Sequence, residues 1–373
     1  MDNIGNDYAS HFAQTRSRPQ NYITDGDPAT RFVEYPKLHE LVRRKDALVA
    51  QRATPAMTLR TDLRQFPLAS LGPRFFDVIV IDPPWKEYYD RARGVAKGTE
   101  VGEDPDAPPP STPAGEPYWT WEDMAKLAIP DVAASPSFVF LWVGDGEGLD
   151  QGRKLLLQWG YRRCEDIVWV KTNKFTKRAA TRPPGSVLER TKEHCLMGIK
   201  GTARRSTDAH FIHCNVDTDV IVAEEFEPGS TRKPDELFDI IEHFCLGRRR
   251  LYLFGEDHNV RPGWVTAGLG LTTSTYDAEQ YHSLFCGPSS HLLGQDREID
   301  SLRPKSPVGR DSQGGGGRGG AGNGRITIII FPRRFLGTPR PRYMALIGRT
   351  TIPTFPIHRH PTPFHRLAVV TLT

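Results

Sequence analysis

The apolar positions of this chain fall into short blocks with two different periods, and their order predicts the fold. In 37–51, KLHELVRRKDALVAQ, residues Leu38, Leu41, Val42 and Leu48 recur at helical spacing with charges on the opposite face. Pro36 suits the first turn of that helix. In FFDVIVIDPPW, Val78 to Ile81 form an unbroken β-branched run, the mark of a strand buried on both faces, and Pro83 and Pro84 end it. Further strands are predicted in SFVFLWV (137–143), CEDIVWVKTN (164–173), EHCLMGIKG (193–201) and RRRLYLFG (248–255), with an extended segment in TDVIVAEE (218–225). GLDQGRKLLLQWG (148–160) reads as a helix closed by Gly160. PDELFDIIEHFCLG (234–247) places Leu237, Ile240, Ile241, Phe244 and Cys245 on one helical face. Strands alternating with helices indicate an α/β domain around a mostly parallel sheet.

The pattern divides the chain into 1–55, an N-terminal helical extension; 56–286, the α/β domain; and 287–373, a linker and tail. Within the domain, 93–117 is a Pro/Gly-rich, acidic insertion expected to form a loop. The segment QGGGGRGGAGNGR (313–325) cannot bury a core, so 306–373 is expected to be mostly disordered. Charge sharpens this division. The chain carries +4 overall, but 306–373 alone carries +9, which leaves −5 for the rest. Any attraction to a polyanion suggested by total charge therefore belongs to the tail. No run of ~18 apolar residues is available for a membrane span. The first twenty residues lack the apolar block of a signal peptide. Five cysteines without a CxxC pair disfavour a disulfide framework or a cysteine zinc site. The expectation is a soluble, intracellular protein without membrane association.

Among candidate chemistries, Asp82-Pro83-Pro84-Trp85 stands out because it follows a buried strand, where open α/β sheets bind ligands. A carboxylate beside a stiff, N–H-free backbone presents acceptors for both hydrogens of an exocyclic amine, and Trp85 offers a stacking face for an extruded base. The plainer reading is a proline-capped strand with a structural tryptophan. Gly144-Asp145-Gly146-Glu147-Gly148 has the wrong spacing and too many acids for a phosphate cradle, and reads as a tight strand-to-helix connection. Arg162-Arg163, Lys200 with Arg204-Arg205, and Arg248-Arg249-Arg250 are basic clusters. Such runs are usually solvated faces, and bind phosphate only if they converge. Arg318 in the Gly/Arg segment offers sequence-tolerant RNA affinity, or serves only as spacer. His194, His210, His213 and His243 lack metal-ligand spacing and read as packing or hydrogen-bonding residues; no metal site is expected.

The segments NDYASHF (6–12), RPQNYI (18–23), EYPKLHEL (34–41), DPPWKEYY (82–89), WGYRRCEDI (159–167), RTKEHCLMGIKGT (190–202), HFCLGRRRLYLFG (243–255), RPGW (261–264) and LRPKSP (302–307) together resemble the MT-A70 family of adenine-N6 methyltransferases. The resemblance covers about 6–305. It implies a Rossmann-like methyltransferase domain, S-adenosyl-L-methionine as methyl donor, mRNA adenosine as target, a nuclear location and a heterodimer with a catalytic sister subunit. By similarity to catalytic members, Asp62 and Leu63 would lie by the donor's adenine, with Lys233, His258 and Asn259 lining the pocket. RNA contact would fall to Lys200, Arg204, Arg205 and the 248–250 run. Departures from the catalytic pattern are Glu256 in place of an arginine, Leu269-Gly270 in place of an Asn-Gln pair, and the long acidic loop after Trp85. Three readings follow: an RNA-binding partner subunit, with the donor bound by both subunits or only by its sister; a self-sufficient adenine methyltransferase; or an RNA-binding protein acting through its tail.

Overall fold

The computed structural model describes Phe32 and residues 35–88, 117–172, 187–202 and 211–303, apart from 87, 145, 189, 215, 227–229 and 295. The loop at 93–116, Asp145, Arg204, Arg205, His210, Arg318 and the tail lie outside the described residues. Strands β1 (Met57–Arg60), β2 (Phe76–Ile81), β3 (Ala133–Gly144), β4 (Arg162–Thr172), β5 (Lys192–Lys200), β6 (Val220–Glu224), β7 (Arg250–Leu253) and β8 (Trp264–Gly268) form one sheet. Its order is β1-β8-β7-β2-β3-β5-β4-β6. Every pairing is parallel except those of β5, which runs antiparallel to β3 and β4. The helices are α1 (Pro36–Arg52), α2 (Trp121–Lys126), α3 (Ile129–Val132), α4 (Glu147–Gln158), α5 (Glu236–Phe244), α6 (Ala278–Ser283) and α7 (Arg297–Leu302).

All six residues of β2 are buried, as its unbroken apolar run requires. Ile79 and Ile81 enter one core with Leu141, Val143, Leu155 and Leu156, while Val78 and Val80 enter the other with Phe140, Trp142, Leu237 and Ile241. The sequence pattern passed over two strands, β1 and β8, in which threonine, arginine or glycine interrupts the apolar run. Together they extend the sheet beyond β7. The outer edge of β1 is closed by side chains, with Thr58 N donating to Thr275 Oγ1 and Arg60 N donating to Ser274 Oγ. Capping of this kind leaves fewer free donors for edge-to-edge pairing.

Helix α1 buries Leu38, Leu41, Lys45 and Val49, so its inner stripe runs through Lys45 rather than through the half-buried Val42 and Leu48. A third small core gathers Phe32, Leu38 and Leu41 against Cys214, Val216 and Ile299. The apolar pattern fades after 287, yet Leu292, Leu293 and Ile299 are buried, and Asp296 caps α7 by accepting from Glu298 N and Ile299 N. The histidines serve in packing contacts. His194 contacts Asp166, His213 contacts Asp300, and His243 lies between Asp46 and Asp217 at 2.7 and 2.8 Å.

His243 ties α1 to α5 and to the approach of β6. Burial disfavours its charged form, but the two flanking carboxylates outweigh this and push it up to about 10. The folded-state value lies above the unfolded one, so the pair stabilises fully below about pH 6.5 and loses its effect as pH rises through about 10. His243→Gln should therefore cost about 2 kcal/mol at pH 6, the scale of hydrogen bonds to charged groups. Denaturant unfolding should show this cost shrinking toward pH 10.5. A constant difference would show that the charge is not the source.

Candidate functional site

The carboxyl ends of β1, β8, β7 and β2 are neighbours in the sheet, and the crevice in which open α/β sheets hold ligands would lie outside them. Asp82 emerges there from β2, and both of its oxygens lie against charged or polar neighbours. One carboxylate oxygen lies 2.8 Å from Lys233 Nζ and the other accepts from Tyr252 Oη at 3.0 Å. Lys233 also donates to Thr231 O at 2.6 Å and stands over the rings of Tyr88 and Trp142. The ion pairs continue. Glu193 Oε2 is 3.8 Å from Lys233 and accepts from Tyr88 Oη, while Glu193 Oε1 meets Lys171 at 2.6 Å, and Lys171 meets Glu225 at 2.6 Å. Five charges of alternating sign thus run along the carboxyl edge from β2 through β5 and β4 to the end of β6. The side chains of the first four are no more than 5% exposed. Burial pushes the Asp82 carboxyl up to about 6, against the opposing pull of Lys233.

The rest of the tetrapeptide is equally engaged. Pro83, Pro84 and Trp85 are buried. Pro84 O accepts from Trp119 N at 3.1 Å. Trp85 donates through Nε1 to Trp142 O at 3.0 Å, and its ring stacks on Trp121 at 4.0 Å. This corrects the expectation of an open stacking face: Trp85 is 4% exposed, and the surface a base would meet is covered by Trp121.

The residues expected around a donor divide between framework and rim. Leu63 is buried in the core, and Asp62 turns back on its own loop, accepting from Arg64 N. Asn259 is buried and forms a reciprocal cap with Glu256, its side chain accepting from Glu256 N at 2.9 Å. Glu256 also accepts from Thr231 Oγ1 at 2.5 Å and lies near His258, whose imidazole is held below its ordinary value by burial. Glu256 pairs with Gly270, where a Cβ would come within 2.6 Å of Glu256 Cγ. The two departures from the catalytic pattern are therefore one physical unit, because the acid at 256 folds into space that the glycine leaves. S-adenosyl-L-methionine does not fit these residues as placed. The Asp82 carboxylate is paired, Asn259 is engaged as a cap, and Trp119, 2% exposed, fills the crevice between Arg64 and Phe254.

The basic clusters also separate. Arg248 donates to Arg52 O, the end of α1, and to Ser290 O. Arg249 forms a two-pronged pair with buried Asp77, and Arg250 is buried with its Nε donating to Gly247 O. The guanidinium groups of the 248–250 run thus tie α1, β2 and β7 together. Lys200 lies at the opposite, amino edge of the sheet with Arg74, Arg162 and Arg163. Arg162 donates to Gly201 O, Lys200 donates to Pro130 O, and the charge of Arg74 acts on Lys200. Sequence spacing could not have added Arg74, which approaches through the loop before β2. Among the described residues no group of His, Cys, Asp and Glu is arranged to hold a metal ion, and no helix is long and apolar enough to cross a membrane.

Lys233→Met should cost about 3–5 kcal/mol near pH 8, because it leaves the Asp82 and Glu193 carboxylates buried without this counter-charge. Without Lys233, Asp82 titrates still higher than about 6, so stability should recover as pH falls and the carboxyl takes up a proton. Urea unfolding at pH 8 and pH 5 checks this, and an equal cost at both would contradict it.

Residues 76–270 match the MT-A70 family. The chain is 51% identical to the N(6)-adenosine-methyltransferase non-catalytic subunit METTL14 of Xenopus tropicalis, over 87% of this chain and 68% of that protein. It is 50% identical to the N6-adenosine-methyltransferase non-catalytic subunit MTB of Arabidopsis thaliana, over 59% of this chain and 26% of that protein. Identity to the human N(6)-adenosine-methyltransferase catalytic subunit METTL3 is 34%, over 59% of this chain and 32% of that protein. With the mostly parallel sheet, the strand-end D-P-P-W and a family match over residues 76–270, the chain belongs to the MT-A70 family.

Proposed function

We propose that this chain is the partner subunit of a nuclear mRNA adenosine-N6 methyltransferase heterodimer, and that its catalytic sister holds S-adenosyl-L-methionine. The observation that carries this reading is the closed state of the tetrapeptide. Both Asp82 oxygens and the Pro84 carbonyl already have partners within the fold. An acceptor pair held in this way is not positioned for a substrate amine, and positioned acceptors are what such a transfer requires. Likeness to proteins named as non-catalytic subunits, stronger than likeness to a catalytic one, supports the same reading.

RNA contact belongs, in this account, to the amino edge. Among the described residues no ion pair holds Arg74, Arg162, Arg163 or Lys200, and the first three are exposed. Asp131 beside Lys200 and Glu165 beside Arg163 offset part of their charge. Arg204 and Arg205 follow Lys200 within ~18 Å of extended chain, so they are proposed to serve the same surface. Arg318 is proposed to add loose affinity from the tail.

Asp82→Asn, in a heterodimer shown to assemble, should leave RNA methylation within a few-fold of normal. A loss of ~10²-fold or more would instead establish this chain as a methyltransferase in its own right. Combining Arg74→Glu with Arg163→Glu should weaken RNA binding by the heterodimer and flatten its log-log salt dependence by about 1.4, the share of two phosphate contacts on a single strand. An unchanged slope would remove the amino edge from the RNA path.

A further inference from the structure

Helix α1 carries one charge on its buried stripe. Lys45 lies between Leu41 and Val49 on that stripe, is 0% exposed, and its Nζ has no hydrogen-bond partner. Arg250, 1% exposed at the start of β7, is nearly as isolated. Its Nε donates to Gly247 O, but its Nη2 has no partner. Glu242 approaches Arg250 Nη1 only to 3.7 Å, because its own oxygens accept from Trp264 Nε1 at 2.6 Å and from Arg261 Nη2 at 3.0 Å.

The two cations share one surrounding. The groups that act on Lys45 are the thiols of Cys214 and Cys245 and the guanidinium groups of Arg250 and Arg303. Burial pushes the two thiols up to about 11 and about 12, so at neutral pH both are protonated and supply no counter-charge. Arg303 has its own partner in Asp300 at 3.3 Å. His213 feels the same excess of positive charge: burial, with Lys45 and Arg303, holds it down at about 4 despite its bond to Asp300. Buried charges are ordinarily paired, because an unpaired ion gives up its hydration without return.

We propose that Lys45 Nζ and Arg250 Nη2 hold a small monovalent anion of chloride size between α1 and the start of β7. Full burial of both donors excludes a nucleic-acid phosphate or an acidic peptide as the occupant, whereas a bare halide is small enough to be enclosed. The anion would join α1 to the sheet through charge, where Leu41 and Val49 join their cores through apolar contact. This site is independent of the partner-subunit reading.

The test is urea unfolding of the purified full-length chain at pH 7, where Lys45, lowered by burial to about 8, is still charged. Sodium chloride replaces sodium gluconate at constant ionic strength, since gluconate is too large to be enclosed. Above the dissociation constant, each rise of about tenfold in chloride should raise the folded-to-unfolded ratio by about the same factor. Lys45→Met, which is similar in length and apolar, should remove that dependence. The arginine-rich tail is present in both chains, so nonspecific anion binding cancels in the comparison. Crystals soaked in bromide test the natural chain without any variant: an anomalous peak should lie within hydrogen-bond reach of Lys45 Nζ and Arg250 Nη2. Equal stability in chloride and gluconate, or full chloride dependence in the Lys45→Met chain, would overturn the site. Bromide crystals with no peak at these donors would do the same. A peak without chloride dependence in solution would mark an adventitious ion only, and would equally overturn the proposal.

Discussion

The buried pair between Asp82 and Lys233 is the constraint around which the carboxyl edge of this sheet is arranged. A carboxylate removed from water needs a counter-charge or a proton, and Lys233 supplies the charge from the approach to α5. Lys233 in turn stands near Glu193, and Glu193 meets Lys171, so the requirement passes along the edge until it reaches the more exposed Glu225. Each link joins a different element. A chain of this kind fixes the relative height of β2, β5, β4 and β6, and leaves Asp82 little freedom to serve an incoming substrate. An acid-Pro-Pro-Trp sequence can thus be retained for structural reasons while its chemical role passes elsewhere.

Closure of the crevice follows from the same ordering. With Asp82 drawn toward Lys233 and Trp85 bonded to Trp142 O, the backbone after β2 presents the Pro84 carbonyl to Trp119 N. Trp119 then lies under Arg64, and Trp121 covers Trp85. Burial of two indoles at one strand end contributes favourable free energy that an open pocket would lack, since large aromatic side chains dominate the energetics of a core. On the far edge the opposite holds. Among the described residues, no ion pair with a carboxylate holds Arg74, Arg162, Arg163 or Lys200.

Much of the fold was legible in the sequence because periodicity reports burial directly. The Val78–Ile81 run announced a central strand, and Leu237, Ile240 and Ile241 announced a helix against it. The strands β1 and β8 were missed because MTLR and WVTAG interrupt their apolar residues with threonine, arginine or glycine. In the candidate site, the sequence pointed to Asp82 and Lys233, but read the lysine as part of a donor pocket. No spacing rule reveals that the fold brings Lys233 to Asp82, 151 residues earlier in the chain. The same holds for Arg249, whose partner Asp77 lies 172 residues away. Trp119 was passed over because it directly follows a Pro-rich loop, although the density of Tyr118, Trp119 and Trp121 after that loop was a usable sign of a buried segment.

Donor stoichiometry tests the central claim most directly. Equilibrium binding of S-adenosyl-L-methionine to the purified heterodimer should saturate at one molecule per complex, and the isolated chain should bind none. Saturation at two per heterodimer, or one per isolated chain, would contradict a crevice that is closed by the protein's own side chains.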